Sequence, residues 1–290
     1  MRISDAFAAG RRVFSFEFFP PKTEEGVRSL FETVSELAPL DPTFVSVTYG
    51  AGGTTRELTI DLATRIKQEL RLETMAHLTC VGHGAAEIES ILEVLEARGI
   101  ENVLPLRGDP PRGETQFVKP VDGFAYAQEL VRFIRARYGF CLGGACYPEG
   151  HLECPNGEED LDHLREKVDA GVEFLITQLF FDPDHYFDFV ERARNRGITL
   201  PIVPGVMPVT NVGQIERFTS MCGASIPAPL QARLDVIRND DEAVVNTGID
   251  WATEQCRRLL EGGAPGIHFY TLNRSRSSRT VYLNLNGARQ

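Results

Sequence analysis

Short apolar runs alternate along the chain with longer stretches in which apolar residues return every three or four positions. Eight runs are rich in β-formers: 13–19, 44–49, 74–80, 102–107, 140–147, 174–181, 201–207 and 266–272. Most are nearly continuous rather than alternating, as strands covered on both faces should be. Between them, 23–37 carries Val27, Leu30, Phe31 and Val34 at helical spacing, and 85–97 carries Ile88, Ile91, Leu92 and Leu95. Segments 124–136, 160–169, 183–194 and 211–221 follow the same logic, several opened by Asp, Asn or Pro. Eight strand–helix alternations predict an α/β fold, a closed (β/α)8 TIM barrel, with one or two extra helices over 227–261 before the last strand. An open doubly wound sheet is the alternative, but it would show fewer repeats and a phosphate-binding glycine fingerprint. The loop 108–122 is long and irregular, yet nothing in the chain has the composition of a flexible linker, so residues 1–290 read as one domain.

Composition narrows the function classes. The chain has 290 residues, 42% hydrophobic and 24% charged, the profile of a soluble globular protein. No stretch approaches a membrane span, and residues 1–10 lack the pattern of a secretory signal, so a cytoplasmic protein is expected. A net charge of -11 argues against general nucleic-acid binding. Any anionic ligand must be met by a local cluster of donors. The six cysteines contain no C-x-x-C pair and suit reduced thiols. His77, Cys80 and His83 have ligand-like spacing, but strand positions three apart face opposite ways, so no metal is expected there.

The polar residues fall where barrel strands end, the face on which such folds place their chemistry. They are Glu17, Thr48 and Tyr49, His77, Arg107 with Gly108 and Asp109, Tyr147 with Glu149 and His151, Gln178, and Tyr270 with Asn273 and Arg274. Glu17 is the most telling, a carboxylate inside an aromatic strand that Pro20 and Pro21 stop. Facing water it needs no explanation. Facing the interior, desolvation would raise its pKa and let it hold a proton near neutral pH, which a general acid requires. The turn Gly50–Ala51–Gly52–Gly53–Thr54–Thr55 suits a threonine-capped helix start or a backbone anion receiver. Arg274, Arg276 and Arg279 form the strongest basic cluster, and Arg274 stands closest to a strand end. No Ser–His–Asp order stands out, and the sixth strand carries no lysine for a Schiff base.

Taken in order, Ser15–Phe16–Glu17–Phe18–Phe19–Pro20–Pro21, Val47–Thr48–Tyr49–Gly50, His77–Leu78–Thr79–Cys80, Leu106–Arg107–Gly108–Asp109, Tyr147–Pro148–Glu149 and His268–Phe269–Tyr270 through Arg274 closely resemble the methylenetetrahydrofolate reductase family. Lys167 to Gly171, Thr177–Gln178 with Phe180–Phe181–Asp182, and Pro204–Gly205 with Pro208 extend the match from residue 15 to residue 274. The chain looks like the catalytic barrel of the bacterial type, without the regulatory C-terminal domain of animal and fungal members. The resemblance implies an FAD-dependent oxidoreductase of one-carbon metabolism that passes a hydride from NADH or NADPH to 5,10-methylenetetrahydrofolate in ping-pong fashion. It implies homo-oligomerisation, and Glu17 as the acid that protonates the folate's bridging nitrogen. Asp109 would lie by the flavin and the folate. Gln178, Gln214, Phe218 and Arg274 match folate-binding positions. Thr48, Tyr49, His77, Arg107, Gly108, Asp109, Tyr126, Ala127, Tyr147, His151, Asp160 and Lys167 match FAD-binding ones. The alternatives are another FAD-dependent barrel oxidoreductase, such as one acting on proline, and a non-catalytic barrel that binds flavin or folate.

Overall fold

The computed structural model describes residues 1–50, 56–110, 113–114 and 117–287. Apart from Gly50, the glycine–threonine turn at 50–55 therefore lies outside the described residues. Helix α1 (Ile3–Ala8) precedes β1 (Val13–Phe18), and strand and helix then alternate. The order is α2 (Glu24–Leu37), β2 (Phe44–Val47), α3 (Arg56–Glu69), β3 (Thr74–Thr79), α4 (Ala85–Ala97), β4 (Asn102–Leu106), α5 (Ala127–Arg135), β5 (Cys141–Cys146), α6 (Gly157–Asp169), β6 (Phe174–Thr177) and α7 (Pro183–Asn195). There follow β7 (Ile202–Val203), β8 (Gly205–Val206), α8 (Val212–Cys222), α9 (Ala228–Ile237), α10 (Asp241–Glu261), β9 (Gly266–Tyr270) and α11 (Arg276–Leu285). Helices α9 and α10 are the insertion expected before the last strand.

The strands are parallel and run β7-β6-β5-β4-β3-β2-β1-β9-β8 around the ring. The seventh apolar run, read from sequence as one strand, is two short ones separated by Pro204. Proline has no N–H to donate and breaks a ladder. Ile202 and Val203 pair with β6, Gly205 and Val206 pair with β9, and the Pro204 carbonyl accepts from His268 N at 3.0 Å. The barrel closes through this broken strand.

Side-chain alternation divides the core. Phe16, Phe18, Val45, Val47, Ala76, Leu78, Ile267 and Phe269 point outward and pack under the helices. Val13, Phe44, Met75, Leu104, Cys141, Phe174 and Val203 point inward, and Ile3 and Ala6 of α1 plug the barrel's lower end. That helix was not anticipated, because six residues are too few to display a helical period. Side chains cap the helices: Thr23, Asn156, Asp182, Asn211 and Asp240 each accept a backbone N–H from the following first turn. Each such cap contributes about 1 kcal/mol.

Candidate active site

Strand alternation places Ser15 and Glu17 inside the barrel, because Phe16 and Phe18 occupy the outward face. The parallel register sets Ser15 beside His268, and Glu17 beside Ser46 on one side and Tyr270 on the other. Glu17 is 16% exposed, whereas Ser15, Ser46 and His268 are fully buried. Its Oε2 takes up three neighbours: Ser46 Oγ donates at 3.3 Å, His268 Nε2 lies at 3.1 Å and His77 Nε2 at 3.4 Å. Ser15 Oγ and His268 Nδ1 are 2.8 Å apart. Among the described residues no hydrogen bond reaches Oε1, and Glu17 lines a cavity of about 390 Å³. The strand end is tied at the backbone, where Thr271 Oγ1 donates to Glu17 O at 2.6 Å.

Interior burial was expected to raise the Glu17 pKa. Desolvation does push it up and is the largest single influence, but the charge and hydrogen bonds of His77 and His268 together outweigh it. The carboxyl is held well below the usual carboxylate range. Sequence could not show this, since the partners are 60 and 251 residues away.

The same cavity gathers most of the sequence candidates. Thr48, Tyr49, His77, Arg107, Gly108, Asp109, Tyr147, His151, Gln178 and Phe218 all line it, with Tyr270 and Leu272. His77 Nε2 is buried without a properly directed hydrogen bond. Gln178 Oε1 accepts from its neighbour Leu179 N at 2.8 Å, which fixes the amide and turns its NH2 into the free donor. Tyr49 is braced by His83, whose Nε2 lies 3.0 Å from its hydroxyl. Gln214 is not in this lining, but sits one helical turn before Phe218 on the same face of α8.

A second cavity of about 550 Å³ shares Leu106, Arg107, Ala145, Tyr147 and His151 with the first. It adds Tyr126, Ala127, Asp160 and Lys167. Burial pushes the Lys167 ammonium below its usual pKa, and its Nζ donates to the Ala145 carbonyl at 2.7 Å. Burial likewise raises Asp160 and lowers His151. Arg107 is already paired, with Nη2 donating to Glu153 Oε1 at 2.7 Å, and that hydrogen bond raises its pKa.

Other candidates lie apart. Glu149 turns away from the Glu17 cavity and accepts from Ser225 N at 2.9 Å. Asn273 is structural: its side chain both donates to and accepts from the Phe19 backbone, at 2.8 and 2.9 Å. That clamp holds Leu272 and Asn273 in left-handed conformation, with φ of 52° and 56°. Arg274 is exposed just beyond β9, and Arg276 pairs with Glu242. His77 lines the cavity while Cys80 packs outward, so they do not share a face. Sequence reasoning gave no role to Ser15, Ser46 or His268. A signal existed, in that Ser15 and Glu17, like His268 and Tyr270, are polar residues two apart on adjoining strands.

The model of the methylenetetrahydrofolate reductase family matches residues 2–286. The chain belongs to this family. It is 44% identical over 295 residues to methylenetetrahydrofolate reductase (NADH) 1 of Zea mays, covering 98% of this chain and 50% of that protein. Identity is 38% to methylenetetrahydrofolate reductase 2 of Schizosaccharomyces pombe, over 97% of this chain and 46% of that one. It is 37% to a probable methylenetetrahydrofolate reductase (NADPH) of Caenorhabditis elegans, over 98% of this chain and 44% of that one. The chain thus spans about half the length of these relatives. A solved Clostridium thermocellum protein, described as binding two copies of 5-methyl-5,6,7,8-tetrahydrofolic acid, shares the fold with a TM-score of 0.69 at 16% identity, each chain being covered over 98%. Among the described residues, no helix is long and apolar enough to cross a membrane.

Proposed function

We propose that this barrel reduces 5,10-methylenetetrahydrofolate to 5-methyltetrahydrofolate with NADH or NADPH, using FAD as the carrier. The observation that carries it is the Glu17 cavity, in which an inward carboxyl with a free Oε1 faces the same space as Asp109, Gln178 and Phe218. The adjoining cavity fits a dinucleotide. Its half-buried Lys167 has a carbonyl as its hydrogen-bond partner and makes no carboxylate ion pair among the described residues, an arrangement suited to an anionic phosphate. His77 Nε2, buried and without a well-directed hydrogen bond, fits the same conclusion at the ring end. FAD, when bound, supplies two-electron hydride chemistry.

The chain's own groups then divide the work. Thr48, Tyr49, His77, Arg107, Gly108, Tyr126, Ala127, Tyr147, His151, Asp160 and Lys167 hold the cofactor. Phe218 packs against the bound substrate, while the amides of Gln178 and Gln214 hydrogen-bond the folate. Arg274, exposed beside the strand end, meets its anionic tail. Glu17 passes a proton to the bridging nitrogen of the folate, opening that ring to an iminium cation. Asp109 places a negative charge where that cation forms and so lowers its energy. One cavity of this size serves nucleotide and folate in turn, which gives ping-pong kinetics.

The test is an anaerobic visible spectrum of the flavin-loaded protein, bleached with NADH or NADPH and then given methylenetetrahydrofolate. Return of the oxidised spectrum supports both half-reactions. Bleaching without return removes the folate assignment, and a protein that takes up no FAD removes the cofactor.

A further inference from the structure

Tyr49 lines the Glu17 cavity, yet its hydroxyl is held by His83, which does not. His83 lies in the turn between β3 and α4, buried, with Nε2 3.0 Å from that hydroxyl and the two rings edge-on at 5.8 Å between centroids. The turn is locked from two sides. Cys80 N and Val81 N donate to the carbonyls of Leu106 and Arg107 at 3.0 and 3.1 Å, and Ala85 N donates to the Asp122 carbonyl at 2.9 Å. Gly123 packs on the His83 carbonyl with no room for a Cβ. The other ring nitrogen, Nδ1, is buried without a hydrogen bond among the described residues, and the Glu87 carboxylate stands 3.8 Å from it. Glu87 is itself fixed, since its Oε2 accepts from Gly84 N at 3.0 Å where α4 begins. A phenol, an imidazole and a carboxylate thus stand in line, and only the phenol reaches the cavity wall.

The line has a direction. The Glu87 charge favours the imidazole tautomer with its hydrogen on Nδ1, which leaves Nε2 an acceptor. The Tyr49 hydroxyl therefore donates to Nε2, and its oxygen keeps only lone pairs for a ligand. We propose that His83 is a positioning residue that makes Tyr49 a hydrogen-bond acceptor for an N–H or O–H group of the flavin cofactor. This rests on the proposed flavin site, to which Tyr49 belongs. Burial agrees with it, pushing the Tyr49 phenol above its usual pKa and the His83 imidazole below, so that both are uncharged near neutral pH. An imidazolium at His83 reverses the arrangement. Its Nε2–H then donates to the phenol oxygen, and the phenol hydrogen is released to act as a donor. The titratable and charged groups around His83 are Glu87 from α4, Arg56 from α3 and Tyr49 just after β2. Glu87 favours the imidazolium, while burial and Arg56 oppose it and prevail.

The experiment is fluorescence titration of the flavin-free protein with FAD between about pH 5 and about pH 8, the range in which an imidazole titrates. It compares the parent with His83→Leu, His83→Gln, Tyr49→Phe and the double variant of His83→Leu with Tyr49→Phe. At the alkaline end, Tyr49→Phe should weaken FAD binding about 5- to 10-fold, the worth of one hydrogen bond. His83→Leu should cost a similar factor alone, but less than about twofold when the Tyr49 hydroxyl is already gone. Parent affinity should fall as pH drops through the lowered pKa of His83, because the imidazolium turns Tyr49 from acceptor to donor. His83→Gln offers an amide oxygen that accepts and never charges. It should hold affinity within about threefold of the parent at the alkaline end and lose the His83 share of the acid limb. His77 and His151 titrate in both proteins, so the difference isolates His83. Should His83→Leu fail to fold, His83→Gln and Tyr49→Phe carry the test. Equal losses from His83→Leu with and without the Tyr49 hydroxyl would mark a structural role only and overturn the proposal. Parent-like affinity in Tyr49→Phe, or an acid limb unchanged in His83→Gln, would overturn it while leaving the flavin site intact. A parent that takes up no FAD at any pH would overturn the flavin site itself, and the role of His83 with it.

Discussion

The hydroxyl of Tyr270 donates to the carbonyl oxygen of Thr177 across 2.6 Å, tying β9 to β6 beside the break at Pro204. Thr177 Oγ1 accepts from Gly205 N at 2.9 Å, so one residue steadies both sides of the gap. Tyr270→Phe keeps the ring and removes the tie. The loss of one internal hydrogen bond should cost about 1 kcal/mol. In a chain of this length that lowers the melting temperature by about 2 °C. Thermal unfolding of the flavin-free protein measures it, and an unchanged midpoint would show that the gap needs no such tie.

Glu17→Gln separates the two half-reactions. The amide keeps the shape of the side chain but has no acidic proton to give, so reduction of the bound flavin by nucleotide should persist. Reoxidation by methylenetetrahydrofolate should fall about 10²- to 10⁴-fold, the range for removing a general acid. Stopped-flow absorbance at the flavin band gives both rates. Normal folate reduction in this variant would remove Glu17 from the chemistry.

The barrel was legible because its strands are covered on both faces and so read as continuous apolar runs, as at Phe44–Val47 and Phe174–Thr177. The helices were legible where a capping residue precedes a periodic segment, as at Thr23 and Asn211. The break at Pro204 lies in plain view in the sequence, yet only the pairing shows that its two sides serve different neighbours. Gathering of the strand-end residues into one cavity followed from the fold. The electrostatics did not, because Ser46, His77 and His268 meet Glu17 through register between distant segments. A carboxyl in an aromatic strand suggests a raised pKa, and only the two imidazoles beside it reverse the sign.

Lys167 gives a pH dependence whose direction is fixed. Burial lowers its folded-state pKa, so between that value and the ordinary lysine range the unfolded chain binds more protons than the folded one. The stability contribution of this residue in the flavin-free protein therefore rises as pH climbs through that window. Lys167→Met removes this dependence and leaves the flavin-free protein as stable as the parent or more so near neutral pH, as replacing a poorly solvated charge usually does. Its affinity for FAD should fall about tenfold or more through loss of a charge-assisted hydrogen bond to phosphate. Fluorescence titration with FAD and unfolding curves across pH check the two halves. Parent-like FAD affinity would remove Lys167 from the cofactor site.

Gly248 lies in α10 where that helix crosses the segment after β8. A Cβ at this position would run into the carbonyl oxygen of Val209, and backbone cannot move aside as a flexible side-chain tip can. Gly248→Ala should therefore push α10 off the segment that leads into α8, at a cost of about 3 kcal/mol, the upper part of the usual range for overpacking. Because α8 carries Gln214 and Phe218, affinity for folate should fall more than affinity for FAD. The control is Gly213→Ala in the first turn of α8, whose Cβ would meet nothing closer than Asn211 Oδ1 at 3.6 Å. There the alanine should raise stability by up to about 1 kcal/mol through helix propensity. Urea unfolding of both variants, with folate binding to the oxidised flavoprotein, makes the comparison. Equal stability of the two would mean that α10 does not seat on Val209 in solution.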